Sequence, residues 1–173
     1  VAWSPTGQAV IAGLWDSTIL VWNPESGESR RLTGHEGPVR SVATSADGRL
    51  ILSASDDKSL RVWDFATGVC LRTLTGHSME ISSACFHRDG RFGFSGGRDQ
   101  TIRLWDLETG ECLRTFESHT NVIESLRVTP DGRWLVTAGV TCVHVPAARR
   151  RMDGRMAGDI GFLGGTHEDL SLI

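Results

Sequence analysis

Two sets of residues in this chain are of the types that carry out nucleophilic hydrolysis. His35, Ser53 and Asp57 form one set, and His77, Ser95 and Asp99 the other, each member of the second lying 42 residues after its counterpart. A histidine that takes a proton from a serine hydroxyl, and is itself oriented by a carboxylate, is the arrangement of acyl-transferring enzymes. Two observations weigh against that chemistry. A catalytic triad occurs once and needs a substrate cleft with an oxyanion hole, whereas this set is complete twice and partly present twice more. Each complete set is also followed by a tryptophan, Trp63 or Trp105, whose indole N–H is a donor able to occupy the hydroxyl. A network repeated at fixed spacing reads as a structural staple.

The remaining chemically able residues point to no cofactor and no metal. Cys70, Cys85, Cys112 and Cys142 are spaced by 15, 27 and 30 residues without a Cys-x-x-Cys pair, which excludes the common zinc and redox signatures. Reduced, buried thiols are expected, with Cys70 and Cys112 as equivalent packing residues. His167, Glu168 and Asp169 are consecutive and cannot all converge on one ion from a regular element. His87 and His144 are isolated and expected at the surface. The glycines of 158–165 (GDIGFLGG) are not followed by the Gly-Lys-Ser/Thr of a phosphate loop.

Composition narrows the classes further. The 173 residues are enough for one ordinary domain, and 18 basic against 21 acidic side chains give a net charge of −3. That lacks the basic excess of a nucleic-acid binder. No run approaches 18 apolar residues, so no membrane helix is expected. The first residues show no signal-peptide succession, and a cytoplasmic setting is expected. All basic residues but Lys58 are arginine, a bias of GC-rich coding. Twenty glycines with 39% hydrophobic residues suit a turn-rich β protein.

The elements that position these residues follow from an internal repeat. SADGR at 45–49 recurs as HRDGR at 87–91 and TPDGR at 129–133, both steps being 42 residues. LTGH at 32–35 recurs at 74–77 and, as FESH, at 116–119; VWN at 21–23 recurs as VWD at 62–64 and LWD at 104–106. Residues 39–80 align with 81–122 without gaps at 16 identities in 42 positions. Each unit contains four runs of about six residues rich in Val, Ile, Leu and Thr, punctuated by Gly and Asp, which predicts four-stranded antiparallel meanders. Trp63 is large and apolar on the strand face opposite Leu60 and Val62, so both faces of each sheet are expected to be covered.

These motifs, in this order and at this period, resemble the WD-repeat β-propeller family over residues 1–139. The resemblance implies an all-β fold of propeller blades, about 3.5 four-stranded antiparallel blades forming an open arc or part of a larger ring. Repeats are expected near 1–38, 39–80, 81–122 and 123–146, followed by a divergent or disordered tail over 147–173. It also implies a hydrogen-bonded chain of His, Ser or Thr, Asp and Trp in each blade. The second blade offers His35, Ser53, Asp57 and Trp63, and the third His77, Ser95, Asp99 and Trp105. The first keeps Asp16 and Trp22 but has Ala12 at the serine position; the fourth begins with His119 and Thr137 and then loses the pattern.

The family's usual role, a platform that binds proteins or peptides without catalysis, is the expected function. The chain starts within a strand of its first blade and is expected to be a fragment of a longer protein. A propeller enzyme and an inactive remnant are the rival readings, the former short of convergent catalytic groups. The partner is expected to be protein or peptide, not nucleic acid or membrane, with self-association of open arcs as a further expectation. Partner-contacting positions are those that vary between copies on the loops around Gly-His and before the third strand: Trp15, Asp56, Arg98, Met79, Glu80 and Asn121.

Overall fold

The structure is a computed structural model that describes residues 1–117, 121–139, 143–146, 149–150, 156–157 and 163–164. Strands β1 (Ala2–Trp3), β2 (Val10–Gly13), β3 (Ile19–Trp22) and β4 (Ser29–Leu32) form a first antiparallel meander. The second contains β5 (Val39–Thr44), β6 (Leu50–Ser55), β7 (Ser59–Asp64) and β8 (Cys70–Thr75). The third contains β9 (Ile81–Phe86), β10 (Phe92–Gly97), β11 (Ile102–Asp106) and β12 (Cys112–Phe116). The fourth begins with β13 (Ile123–Val128), β14 (Trp134–Gly139) and β15 (Val143–Pro146). Then β16 (Arg149–Arg150) pairs with β17 (Met156–Ala157), and β18 (Leu163–Gly164) pairs with β15, so the fourth sheet also has four strands. These last three strands lie where 147–173 carries no alternating pattern. A two-residue strand is too short to show one. Among the described residues no helix is long and apolar enough to cross a membrane.

Short polar turns set the meander. The Asp-Gly turns between first and second strands place Gly48, Gly90 and Gly132 at φ of 72°, 74° and 70°, the left-handed region that glycine enters without steric cost. The Asp of Trp-Asp closes the turn to the outer strand. Asp64 Oδ1 accepts from the Thr67 amide and hydroxyl, both at 2.7 Å, and Asp106 Oδ1 accepts from the amides of Glu108 and Thr109.

The core lies in the seams between sheets. Ile11, Ile19, Val21 and Leu32 of the first blade pack on Val39, Val42, Ile51 and Trp63 of the second. Leu52, Leu60 and Val62 of the second pack on Ile81, Ala84 and Trp105 of the third. Phe94, Ile102 and Leu104 of the third pack on Ile123, Leu126 and Leu135 of the fourth. The second and third sheets are thus apolar on both faces, as their tryptophans require. Trp63 and Trp105 are each 1% exposed, whereas Trp22 in the first blade is 41% exposed.

Polar contacts pin the same seams. The Ser41 hydroxyl accepts from the Ala84 amide at 3.2 Å, and Ser83, one repeat on, accepts from the Leu126 amide at 3.0 Å. At the outer edge Arg30 donates to the carbonyls of Phe65 and Ala66, and Arg72, 42 residues later, to that of Glu108. His87, expected at the surface, is instead caught in the third seam. Its Nε2 donates to the Gly132 carbonyl at 3.3 Å, and its ring lies edge-on to Phe92 and Phe94. The sequence could not show this, because the carbonyl it meets belongs to the next repeat.

Truncating a seam residue should therefore cost far more than truncating an outer-strand one. Leu60→Ala, in a fully buried seam position, is expected to lower stability by about 2–5 kcal/mol, and the exposed Leu113→Ala by less than about 0.5 kcal/mol. Urea unfolding midpoints measure both, and equal shifts would contradict the seam packing.

Candidate functional site

The residues with the types of a hydrolytic triad do converge, together with a tryptophan. In the second blade Trp63 Nε1 donates to Ser53 Oγ at 2.8 Å, Ser53 Oγ lies 2.7 Å from His35 Nε2, and His35 Nδ1 lies 2.7 Å from Asp57 Oδ2. The third blade repeats the chain through Trp105, Ser95, His77 and Asp99 at 2.8, 2.6 and 2.8 Å. A carboxylate only accepts and an indole N–H only donates, so the proton order is fixed. Nδ1–H donates to Asp, and the serine hydroxyl donates to Nε2 while accepting from Trp.

Local backbone geometry delivers each member. His35 stands in the loop entering β5, Ser53 on β6, Trp63 on β7, and Asp57 on the β6–β7 turn. That turn places Lys58 at φ 67°, and its equivalents Gln100 and Ser17 take 64° and 68°. The left-handed residue folds the aspartate back toward the histidine. Asp57 also accepts from the Glu36 and Ser59 amides and the Ser59 hydroxyl. Gly34, just before His35, has φ 154°, and a Cβ there would stand 2.7 Å from Arg61 Nη1 and 3.2 Å from the Trp63 ring. Gly76 repeats this against Arg103 and Trp105.

The electrostatics favour a neutral histidine beside an ionised aspartate. Burial pushes the pKa of His35 down, opposed by its bond to Asp57 and aided by the Arg61 charge; His77 is lowered in the same way, with Arg103 as its neighbour. Burial alone would raise Asp57, but the bonds from Ser59, the Glu36 amide and His35 outweigh it and hold the carboxyl at about 2. Asp99 is lowered against burial by His77 and Thr101. Arg61 and Arg103 carry no signature in a single repeat and were visible only as members of the strand.

The distances are those of a triad, yet the nucleophile has no access to substrate. Ser53 and Ser95 are fully buried, and each hydroxyl is already engaged by an indole N–H and an imidazole. The first and fourth blades are partial. Asp16 accepts from Thr18 and pairs with Arg31 at 2.5 Å, Ala12 stands at the serine position, and Trp22 is partly exposed. Thr137 is fully buried at the serine position of β14, while His119 lies outside the described residues. Among the cysteines, Cys85 is buried and its thiol is pushed up to about 12, but Cys112 is exposed rather than packed, because the outer strand has no neighbour on that side.

The loop residues expected to vary are exposed or half-buried. Trp15 is 76% exposed, Arg98, Met79 and Asn121 are exposed, and Asp56 and Glu80 are half-buried. The sequence did not reveal what joins two of them. Arg40 stacks on the Trp15 ring with its guanidinium carbon 4.5 Å from the centroid, and binds Asp56 through Nε at 2.8 Å and Nη2 at 2.6 Å. Arg40 is the extra residue of a β-bulge: β5 pairs Val39 with Ser55 and then Ser41 with Ala54. A bulge takes one side chain out of the strand's alternation and re-aims it. Ser82 and Glu124 occupy the same bulge position in the third and fourth blades.

Comparison with known proteins agrees with this architecture. The family described as WD domain, G-beta repeat matches residues 1–23, 27–64, 68–106 and 110–145. Among similar curated proteins are the Periodic tryptophan protein 2 homolog of Schizosaccharomyces pombe, 42% identical over 37% of this chain and 8% of its own. The Nuclear distribution protein PAC1 of Candida tropicalis is 44% identical over 34% of this chain and 12% of its own. The Small ribosomal subunit protein RACK1y of Oryza sativa subsp. japonica is 36% identical over 39% of this chain and 20% of its own. The matched stretch spans no more than a fifth of each of these relatives.

Two outcomes test the buried networks. Asp57→Ala or Asp99→Ala strands a buried histidine donor, with an expected cost of about 1–3 kcal/mol in urea unfolding. Asp16→Ala, at an exposed ion pair, should cost less than about 1 kcal/mol. The second concerns pH. The histidines have folded pKa values below their ordinary 6.5. Their contribution is complete above pH 6.5 and is lost as pH falls toward the lowered folded values, because the unfolded chain takes up the protons first. Asp57, at 3.8 unfolded and about 2 folded, gives a second loss below pH 4. Melting temperature should fall in those two windows; His35→Gln with His77→Gln should flatten the upper one.

Proposed function

The chain belongs to the WD domain, G-beta repeat family, and from that premise we propose that it is a non-catalytic protein-interaction module whose partner binds the loop face. The observation that supports this most directly is the contrast between the repeated and the varying positions. The His, Ser and Trp of the two complete tetrads recur and are buried, while Trp15, Asp56 and Arg98 occupy equivalent turn positions, differ completely in chemistry, and reach the surface. Scaffold and recognition surface are expected to divide in this way. Tryptophan and arginine are also the anchors that most often dominate binding energy.

Met79, Glu80 and Asn121 extend the same surface, and the partner is a protein or peptide. The buried serine hydroxyls speak against a hydrolase at the tetrads. One relative's name, a small ribosomal subunit protein, is that of a component of an assembly, which fits a chain that acts by binding. A longer protein would carry this segment as its platform, in a reducing cytoplasmic setting consistent with the free thiols of Cys70, Cys85 and Cys112.

Immobilised chain should capture partner proteins from the lysate of its source. Trp15→Ala and Arg98→Ala should each weaken capture by more than about 1 kcal/mol, roughly fivefold or more, without lowering the melting temperature. Capture unchanged by both would move the binding surface away from these loops.

A further inference from the structure

We propose that two copies of this chain join head to tail, the far face of the fourth sheet of each covering the outer face of the first sheet of the other, so that four sheets from each copy close an eight-bladed ring. This goes beyond the loop-face role proposed above and concerns two sheet faces which that role does not use.

The first support is an apolar sheet face that nothing covers. Strand alternation turns Ile11, Ile19 and Val21 toward the second blade and leaves Val10, Ala12, Leu20 and Trp22 on the opposite side. Register sets Trp3, Val10 and Trp22 side by side as one row across three strands. Trp3 is 59% exposed and Trp22 41%. The matching row of the second blade is Thr44, Ile51 and Trp63. It is packed on the first blade: Ile51 and Trp63 are fully buried there, and the Thr44 hydroxyl donates to the Trp3 carbonyl at 3.0 Å. Beside the open row stands one charge, Arg31 opposite Leu20, and Asp16 of the same blade neutralises it. The first sheet thus presents the surface that each later sheet buries against its predecessor.

The second support is the fit of the fourth sheet to that surface, read from the seams already closed. In the second blade Ala43 and Leu52 are cross-strand neighbours. Leu52 meets the row Phe86, Gly93 and Trp105 of the third blade, where a Cβ on Gly93 would stand 3.3 Å from it. In the third blade the corresponding pair, Cys85 and Phe94, packs with Val128 and Leu135 of the fourth. The next copy of the pair is Arg127 and Val136, and Arg127 is exposed. One further step of the same register sets Arg127 and Val136 against Trp3, Val10 and Trp22. Two departures from the repeat then match. Arg127 replaces Ala43 and Cys85, and Trp3 replaces Thr44, Phe86 and Val128. A guanidinium over an indole ring is a favourable pair. Within one copy both surfaces stay exposed, so the match is made with a second copy. Made twice about a two-fold axis, a head-to-tail contact closes, and eight blades lie within the usual range.

Sedimentation velocity of the full chain tests this, with circular dichroism confirming that each variant keeps its strands. At micromolar concentration the chain should sediment with twice its 18.9 kDa mass. Trp3→Arg sets a cation against Arg127, and Arg127→Glu removes the cation from Trp3; each should raise the dissociation constant about tenfold or more. An equimolar mixture of the two variants should regain the dimer, because one junction then pairs an arginine with a glutamate and the other is unaltered. A wild-type chain that stays monomeric overturns the proposal. So does a dimer that Arg127→Glu leaves intact, which would join two first sheets to each other. A variant mixture that remains monomeric, or a mass that grows past two copies, overturns the closed ring.

Discussion

One buried hydroxyl in each complete blade is the condition for the rest. The tryptophan of the third strand must fill the seam, and its indole N–H cannot be buried there unpaired. Ser53 and Ser95 take that donor, pass their own proton to a histidine from the entering loop, and through it reach an aspartate on the turn before the third strand. The entering loop, the second strand, the turn and the third strand are tied into one chain of hydrogen bonds through that hydroxyl and the histidine beside it. The apolar packing between sheets therefore depends on a polar chain within them, and the loop face inherits its shape from where that chain ends.

The same chain shows how little geometry alone says about chemistry. Distances of 2.6–2.8 Å among Ser, His and Asp satisfy the spacing of a proton relay. What differs is access and competition. The hydroxyl is sealed from solvent and its acceptor site is filled by tryptophan. Burial holds the histidine neutral, and the carboxylate is stabilised as an anion by amides as well as by the imidazole. Such an arrangement lowers the energy of one resting state; a catalyst needs a group poised to change state.

The tetrads were legible in the sequence because their members lie within one repeat at fixed offsets, and the copies reinforce one another. The contacts that were not legible join one repeat to the next. Arg30 and Arg72 reach carbonyls 35 to 36 residues away, His87 meets Gly132, and Arg40 meets Trp15 across a seam. Repetition shows that a position recurs, but not which neighbour it touches. The loop positions were identified by their variation, yet the stack that organises Trp15 and Asp56 depends on a bulge, which leaves no mark in residue type. The strand at Leu163–Gly164 was hidden for a similar reason: its partner β15 fixes it, and two residues carry no period.

The bulge has a meaning for how such a surface diversifies. In a regular strand every residue is committed by alternation to one sheet face or the other, so changing it disturbs a seam. The bulge releases one residue in each of the second, third and fourth blades from that commitment, and the chain has filled the released positions with Arg40, Ser82 and Glu124, a cation, a neutral hydroxyl and an anion. Each of these copies thus carries an address that mutation can rewrite with little disturbance of the apolar packing, although Ser82 is still tied to the next blade through the carbonyl of Ile123. An array of near-identical blades can in this way acquire a distinct chemical identity at each step while its interior stays the same.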